Sequence, residues 1–184
     1  MPKVSAEELL EVGFMRYEGV FADGQPANNK LDLGYPNLAP HTALFRKIVL
    51  GLCEVAEQYK PEFTVGNPDG ATGIAGAVAL EMDLYCVHLV KRAGNIEYSM
   101  LFDEDAVNQL GSGLIVEDVL NRRSTTKKVL GLPQLAPKIS AVIGIFDRGI
   151  MGENVELDKK VHALVTQPIE QLLPEDSPLW RYAK

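Results

Sequence analysis

The sequence predicts an α/β fold in which helices cover both sides of a mainly parallel, Rossmann-like sheet. Segments with strand character alternate with helical patterns along the chain, and this order is typical of parallel sheets. Most strand segments are largely apolar runs, as at 114–116 and 139–146, which is expected for strands buried between two layers. Because the chain has 184 residues, we expect one domain over residues 1–184. Residues 1–40 are expected to form a small N-terminal hood over the sheet edge.

Capping residues and apolar spacing define the elements of the first half of the chain. Ser5 is a candidate helix N-cap because two acids follow it in the first turn. Apolar residues at helical spacing from Leu44 to Ala56 predict a long helix that Pro61 closes. The predicted elements are a helix over about 6–13, a short edge strand or hairpin at 30–33, a helix over 42–59, a strand at 63–66, a helix over 74–82 and a buried strand over 84–90.

Apolar runs of strand length define most of the second half. Pro168 is compatible with the first turn of a last helix, where proline is tolerated. The predicted elements are a short strand or hairpin arm at 98–102, a central strand at 114–119, a helix over 125–130, strands at 139–146 and 161–165, and a C-terminal helix from 168.

The composition argues against several classes of function. The formal net charge is −7, so a general nucleic-acid binder is not expected. No apolar stretch approaches membrane-spanning length, and the N-terminus lacks the apolar core of a signal peptide; we expect a cytoplasmic protein without a membrane partner. Cys53 and Cys86 lie in apolar runs without metal-ligand spacing and are interpreted as reduced core residues. The three histidines are interpreted as structural, and no metal site is predicted with certainty.

The most informative segment is the acidic end of the central strand. An apolar run stops at Glu117 and Asp118, and a run of hydrogen-bond donors follows at 121–126. Adjacent acids at the end of a buried strand are costly unless they are solvated or liganded. Ligands of open α/β sheets bind beyond the carboxyl ends of the strands, where carboxylates can hold ribose hydroxyls or a hydrated magnesium ion. This segment therefore predicts recognition of a sugar phosphate.

Three further turns are candidate ligand contacts at the same sheet edge. The glycine-rich turn at 66–73, taken alone, is interpreted as an ordinary βα turn. Lys91 and Arg92 fit a pyrophosphate-binding pair and a solvated surface pair equally well. Arg148, after the strand at 139–146, can form a fork to a planar polar ligand.

In order and spacing, these segments resemble the type I phosphoribosyltransferases, and within them the orotate-specific enzymes. The segment 114–119 is similar to the family's phosphoribosyl-diphosphate motif, in which apolar residues precede two acids. The segment 65–79 resembles the pyrophosphate loop and its helix, and 142–149 with 161–165 and 169–173 resembles the C-terminal part of the orotate enzymes. The resemblance covers most of the chain.

The resemblance implies transfer of phosphoribose from phosphoribosyl diphosphate to a nitrogenous base, with Mg²⁺ carried by the diphosphate. It also implies a homodimer, and a role in pyrimidine biosynthesis if the base is orotate. The implied catalytic residues are Glu117 and Asp118; the implied phosphoribosyl-diphosphate contacts are Asn67, Lys91, Arg92, Asn121, Arg122, Arg123, Ser124 and Thr125; the implied base contacts are Phe21 and Arg148.

Three departures from the family pattern keep a second hypothesis open. The phosphate turn at 121–125 carries two arginines where the family has threonines and glycines, and Ala22 stands where orotate enzymes place a lysine. The segment 96–112, which matches their basic catalytic loop, contains no Lys, Arg or His and is interpreted as a solvated loop or hairpin. The alternative is a non-catalytic nucleotide or sugar-phosphate binding homologue, or, less favoured, a structural partner subunit.

Overall fold

The computed structural model describes residues 3–16, 30–99, 104–149 and 157–169. The predicted base contact Phe21 and the predicted helix from 168 onward lie outside these ranges, except for residues 168 and 169, which are not helical. The elements, in chain order, are α1 (Ala6–Val12), β1 (Phe14–Arg16), β2 (Lys30–Asp32), α2 (Tyr35–Leu38), α3 (Thr42–Ala56), β3 (Phe63–Gly66), α4 (Thr72–Met82), β4 (Tyr85–Val87), β5 (Leu89–Arg92), β6 (Asn95–Tyr98), α5 (Glu104–Gln109), β7 (Gly113–Leu120), α6 (Ser124–Val129), β8 (Ile139–Asp147) and β9 (Lys160–Thr166).

The central sheet contains five strands in the order β4-β3-β7-β8-β9. Every neighbouring pair in it is parallel, which confirms the predicted sheet type. The chain reverses its winding direction around β3 and β7, since β4 lies on one side of β3 while β7 lies on the other. Their carboxyl ends therefore meet at one edge, where ligands bind in folds of this class.

Apolar cores cover both faces of this sheet, as predicted. Leu114 and Val116 point into a core formed with α1, α3 and α4, whereas Ile115 between them points into a second core. The second core includes Val107 of α5 and Val129 of α6, and the β5–β6 hairpin also contributes to it. A continuous apolar run is needed because alternate residues of β7 are buried on opposite faces.

Most predicted elements agree with the structure within a few residues. The Ser5 hydroxyl accepts from the Glu8 backbone N–H at 3.2 Å, and the Glu8 carboxylate accepts from the Ser5 backbone N–H at 2.8 Å. This reciprocal capping box starts α1 where the sequence predicted it. Helix α3 begins after His41 and passes into a 3₁₀ turn at Glu57–Tyr59, so the long helix predicted over 42–59 is confirmed.

The single buried strand predicted at 84–90 is wrong. Strand β4 ends at Val87 and a separate strand, β5, pairs with β6 in a two-stranded antiparallel sheet. Exposed His88 lies between them. In β4, Tyr85 is 61% exposed because this strand forms the sheet edge and pairs only with β3. The apolar run therefore spans two elements that the pattern alone does not separate.

The turn at 90–94 was expected at a strand end of the central sheet, and this prediction is also wrong. Ala93 and Gly94 both have positive φ, 46° and 82°, and form the tip of the β5–β6 hairpin. The segment expected as a solvated loop or hairpin at 96–112 contains a helix, α5, whose Val107 is fully buried. Burial of this single apolar residue gives an acidic segment a helical conformation.

Within the described ranges, no helix is both long and apolar enough to cross a bilayer.

Cys53 and Cys86 carry free thiols; the first is buried, and the second is half-buried on the edge strand. Burial raises the pKa of both thiols, which makes them poor nucleophiles.

Gly66, the last residue of β3, is required by close packing at the start of the ligand edge. A Cβ there would lie 2.6 Å from the Ala71 carbonyl oxygen and 2.6 Å from Thr72 Cα, both backbone atoms. Gly66→Ala is expected to lower the free energy of unfolding by about 1–3 kcal/mol, because the turn must move. Urea denaturation measures the change.

Gly76→Ala in α4 is the matched control, because a Cβ there meets no atom within 4 Å. It is expected to raise stability by up to about 1 kcal/mol, since alanine is the better helix former. Equal effects of the two substitutions would contradict the assignment of Gly66 as a packing constraint.

Candidate functional site

A cavity of about 750 Å³ opens at the carboxyl edge of β3, β7 and β8. It is bounded by the loop after β3, the end of β7, the turn before α6, the residue after β8, one residue of β5 and the segment from β2 into α2. The lining residues are Leu31, Asp32, Gly34, Pro36, Asn37, Asn67, Pro68, Asp69, Gly70, Lys91, Glu117, Asp118, Val119, Asn121, Arg122, Arg123, Ser124, Thr125 and Arg148.

Glu117 lies inside the cavity wall and is held by two neutral side chains. Its Oε1 atom accepts short hydrogen bonds from the amide Nδ2 of Asn67 and from the hydroxyl of Thr126. Glu117 is 6% exposed, Asn67 is 5% exposed and Thr126 is fully buried. The loop after β3, strand β7 and helix α6 thus meet at the Glu117 carboxyl group.

Burial and, to a smaller extent, the nearby charge of Asp118 raise the pKa of Glu117 from 4.5 to about 8. The hydrogen bonds from Thr126 and Asn67 act in the opposite direction, since both stabilise the ionised form. Glu117 therefore holds its proton at neutral pH far more readily than an exposed glutamate.

The Asp118 carboxylate lies against backbone atoms of two segments. Its Oδ1 atom accepts from the backbone N–H of Val119 at 2.8 Å. Its Oδ2 atom approaches Gly70 so closely that a Cβ on Gly70 would lie 2.4 Å from it. A Cβ on Gly34 would lie 3.6 Å from the same oxygen and 3.3 Å from Gly70 Cα. Gly70 therefore leaves room for the carboxylate, and Gly34 allows the close approach of the two loops.

The segment 31–37 forms a wall of the cavity that the sequence analysis did not predict. The backbone N–H of Tyr35 donates to the Gly70 carbonyl at 2.8 Å. Asp32 accepts from the backbone N–H of Gly34 at 3.1 Å through its Oδ1 atom. Asp69 lies on the opposite loop, where the Pro68–Asp69 peptide is cis. The one available signal was the Asp-Leu-Gly-Tyr sequence, a turn-forming pattern with a carboxylate, which has many other interpretations.

The turn at 121–125 orders one of its two arginines by an ion pair. Arg123 donates from Nη2 to Asp147 Oδ2 at 3.0 Å, and both side chains are largely buried. Its backbone has φ 59°, so an arginine adopts here the left-handed conformation that glycine usually supplies. Asn121 and Arg122 flank the same cavity wall.

Two further cations line the cavity from separate elements. Arg148 is 1% exposed and donates from Nη2 to the Ile169 carbonyl at 3.3 Å. Burial lowers the pKa of its guanidinium. Lys91 is exposed and reaches the cavity from the β5–β6 hairpin rather than from the central sheet.

Ten of the twelve site residues predicted from the sequence line this cavity. Arg92 does not line it, because alternate residues of a hairpin strand face opposite sides and Lys91 takes the cavity side. Phe21 lies outside the described residues. Thr126, which holds Glu117 but does not line the cavity, was missed because only the tertiary contact distinguishes it from the neighbouring hydroxyls.

Burial of the Glu117 carboxyl is expected to make the free energy of unfolding depend on pH. The pKa of Glu117 is higher in the folded protein than in the unfolded chain. The stabilisation that its protonated carboxyl gives to the folded state is therefore fully present below pH 4.5 and is lost as the pH rises through about 8. Gln at this position keeps the Oε1 acceptor and cannot ionise. We expect the stability of Glu117→Gln relative to wild type to increase between pH 5 and 8, by up to about 1.4 kcal/mol per pH unit.

Urea denaturation of both proteins at several pH values measures this difference. Asp83→Asn, at an exposed position with φ 55° that asparagine tolerates, controls for removal of one carboxyl. A pH-independent difference for Glu117→Gln would show that Glu117 is ionised throughout.

The sequence matches no established family profile and no curated protein. Among solved structures, the chain is similar to the orotate phosphoribosyltransferase from Aeropyrum pernix, with a TM-score of 0.62 and 17% identity over 82% of this chain and 86% of that chain. It is also similar to the adenine phosphoribosyltransferase from Rhodothermus marinus, with a TM-score of 0.64 and 16% identity over 87% and 97% of the two chains.

A third similar structure is the Mycobacterium tuberculosis orotate phosphoribosyltransferase in complex with 5-phospho-α-D-ribosyl 1-diphosphate. Its TM-score is 0.60, with 19% identity over 88% of this chain and 93% of that chain. At these identities the similarity establishes the architecture. The chain therefore has the fold of the type I phosphoribosyltransferases.

Proposed function

We propose that the protein transfers phosphoribose from phosphoribosyl diphosphate to a nitrogenous base. The observation that carries the proposal is the acidic end of β7: Glu117 and Asp118 share one cavity with the donor-rich turn at 121–125. The fold and the position of the cavity at the carboxyl edge of a parallel sheet support it.

The charges around the cavity are separated in a way that suits a sugar phosphate. Asp118 presents a carboxylate at the end of β7, where ribose hydroxyls would donate to it. The turn at 121–125 supplies Arg122 and the hydroxyls of Ser124 and Thr125, which are donors for a 5′-phosphate. Lys91 would meet the diphosphate from the hairpin.

Orotate, which is anionic, is proposed as the first candidate base, and adenine, which is neutral, as the second. Arg148 is a nearly fully buried cation on the cavity wall, and its planar fork of donors matches a carboxylate. Orotate carries a carboxylate, whereas adenine is neutral. The similar solved structures include enzymes named for each base, so the choice depends on Arg148.

The donor set around Asp118 fits Mg²⁺ only as a companion of the diphosphate. Among the described residues, no three His, Cys, Asp or Glu side chains come together as a metal site. Asp118 lies against Gly70, next to Asp69, so these two carboxylates would hold the ion together with water and phosphate oxygens. Bound there, Mg²⁺ would offset charge on the leaving diphosphate.

The chemistry expected of these residues is electrostatic. Cleavage of the ribose–diphosphate bond develops positive charge on the sugar and negative charge on the leaving group. Asp118 and Lys91 both line the cavity; in the proposed complex the Asp118 carboxylate would lie beside the sugar, and Lys91 would lie beside the diphosphate. Fixed charges of this kind stabilise a transition state without reorganisation.

Asp118→Asn tests the proposed reaction directly. Orotate, adenine and other bases are offered with phosphoribosyl diphosphate and Mg²⁺, and pyrophosphate release is measured. The wild type is expected to turn over an anionic base, and Asp118→Asn to be slower by about 100-fold or more, because the fixed charge is removed. Asp83→Asn, outside the cavity, is expected to keep full activity. Absence of pyrophosphate release with every base would contradict the proposal.

A non-catalytic binding protein is the second candidate, and two observations favour it. The guanidinium of Arg123 is engaged by Asp147, and the segment 96–112 contains no cation to cover a diphosphate. Such a protein would bind a sugar phosphate or nucleotide at the same cavity without turnover.

Calorimetry with ribose 5-phosphate and phosphoribosyl diphosphate, with and without Mg²⁺, separates the candidates. Under both candidate functions, Arg122→Ala is expected to weaken binding of these ligands about tenfold, because a charge-assisted hydrogen bond is lost. Arg46→Ala, exposed on α3 and outside the cavity, should bind like the wild type. Binding without pyrophosphate release would favour the second candidate, and no heat with any of these ligands would exclude both.

A homodimer acting in pyrimidine nucleotide synthesis is part of the first proposal, carried by the family resemblance alone. Sedimentation equilibrium of the purified protein tests the dimer, and the base panel tests the pathway.

A further inference from the structure

We propose that Asn67 accepts a hydrogen bond from a ring hydroxyl of the bound sugar phosphate, and so helps to select ribose over its deoxy analogues. This inference rests on the proposed function, because it assigns a role to one residue of the same cavity. It replaces the contact with diphosphate that the sequence predicted for Asn67.

The side-chain amide of Asn67 has already used its donor group. Nδ2 donates to Glu117 Oε1, and Thr126 Oγ1 lies 3.5 Å from the same nitrogen. The amide is oriented with Nδ2 toward these two oxygens, so Oδ1 lies on its other side.

The remaining polar atom of this amide is an acceptor without a donor. Oδ1 is buried and receives no hydrogen bond from any described residue, although Asn67 lines the cavity and is only 5% exposed. A buried acceptor left unsatisfied is costly. A ligand that supplied a donor at this position would remove that cost on binding.

The chemistry of the ligand decides which part of it can approach Asn67. Phosphate and diphosphate groups present only acceptor oxygens, which an amide oxygen repels. Ring hydroxyls are donors, and two of them stand on adjacent carbons of ribose. A ring hydroxyl is therefore the part of a sugar phosphate that can satisfy Asn67 Oδ1.

The position of Asn67 in the chain supports a fixed geometry. Its backbone N–H donates to the Val116 carbonyl at 2.9 Å, and its carbonyl accepts from the Ala71 N–H at 3.1 Å. The residue is thus held at both backbone groups and at Nδ2, which leaves Oδ1 with little freedom. Preorganised acceptors discriminate strongly against ligands that lack the matching hydroxyl.

The experiment compares affinities of the wild type and Asn67→Ala for ribose 5-phosphate, its 2-deoxy and 3-deoxy analogues, and pyrophosphate, by calorimetry. The wild type is expected to prefer ribose 5-phosphate over one deoxy analogue by about tenfold. In Asn67→Ala that preference should largely disappear, while pyrophosphate affinity stays within about twofold, since no phosphate contact is removed.

Thr126→Val is the matched control, because Thr126 also donates to Glu117 Oε1 but does not line the cavity. It should keep the greater part of the preference for ribose, because Asn67 Oδ1 remains and Glu117 still accepts from Asn67 Nδ2. Loss of the preference in both variants would overturn the proposal, because Asn67 would then act only by orienting Glu117. A preference unchanged in Asn67→Ala, or a specific loss of pyrophosphate affinity, would overturn it as well.

A crystal structure of the wild type with ribose 5-phosphate provides a test that does not require the variant to fold. Asn67 Oδ1 within hydrogen-bonding distance of a ring hydroxyl supports the proposal, and Oδ1 against the phosphate or solvent overturns it. If sugar phosphates bind but Asn67 does not contact a hydroxyl, only this inference fails. If no sugar phosphate or phosphoribosyl diphosphate binds to the wild type, the proposed function fails with it.

Discussion

The hydrogen-bonded carboxyl group of Glu117 is the constraint on which the ligand edge depends. It is buried beside a second acid, so it needs partners that are themselves fixed. Asn67 and Thr126 supply these partners from the loop after β3 and from α6. Three segments that are distant in sequence are thereby held in register at the point where the sheet meets the cavity. Loss of either partner would leave a buried acidic group underpaired.

A second set of contacts joins the N-terminal segment to the same edge. Gly34 and Gly70 pack against each other, and the Asp118 carboxylate lies against Gly70. The hydrogen bond from the Tyr35 N–H to the Gly70 carbonyl keeps this contact closed. Backbone packing between the two segments therefore helps to fix the position of the Asp118 carboxylate.

The sequence was sufficient for the architecture because its strongest strands are buried on both faces. β3, β7 and β8 are largely apolar and buried, and segments of this kind are recognisable without tertiary information. The division between β4 and β5 was not predictable, since an edge strand and a hairpin strand share one apolar pattern there. Helix α5 was missed because its acidic composition outweighed a single buried valine, Val107.

The same contrast holds within the site. The acids at 117 and 118 and the turn after them could be predicted, because acids that end an apolar strand are unusual. The contact between Asn67 and Glu117 spans 50 positions, and the approach of Gly34 to Gly70 spans 36, so neither leaves a local pattern. The ion pair of Arg123 with Asp147 also could not be predicted, because an arginine in a turn has many possible partners.

The β5–β6 hairpin has a consequence for how this protein can diversify. It contributes Lys91 to the cavity while pairing with no strand of the central sheet. Its tip is exposed, and its length and charge are not tied to the register of the five parallel strands. Changes at the hairpin tip are therefore expected to alter the electrostatic character of the cavity mouth and to leave the pairing of the central sheet intact. An interchangeable module of this kind allows new ligand preferences to arise on an unchanged scaffold.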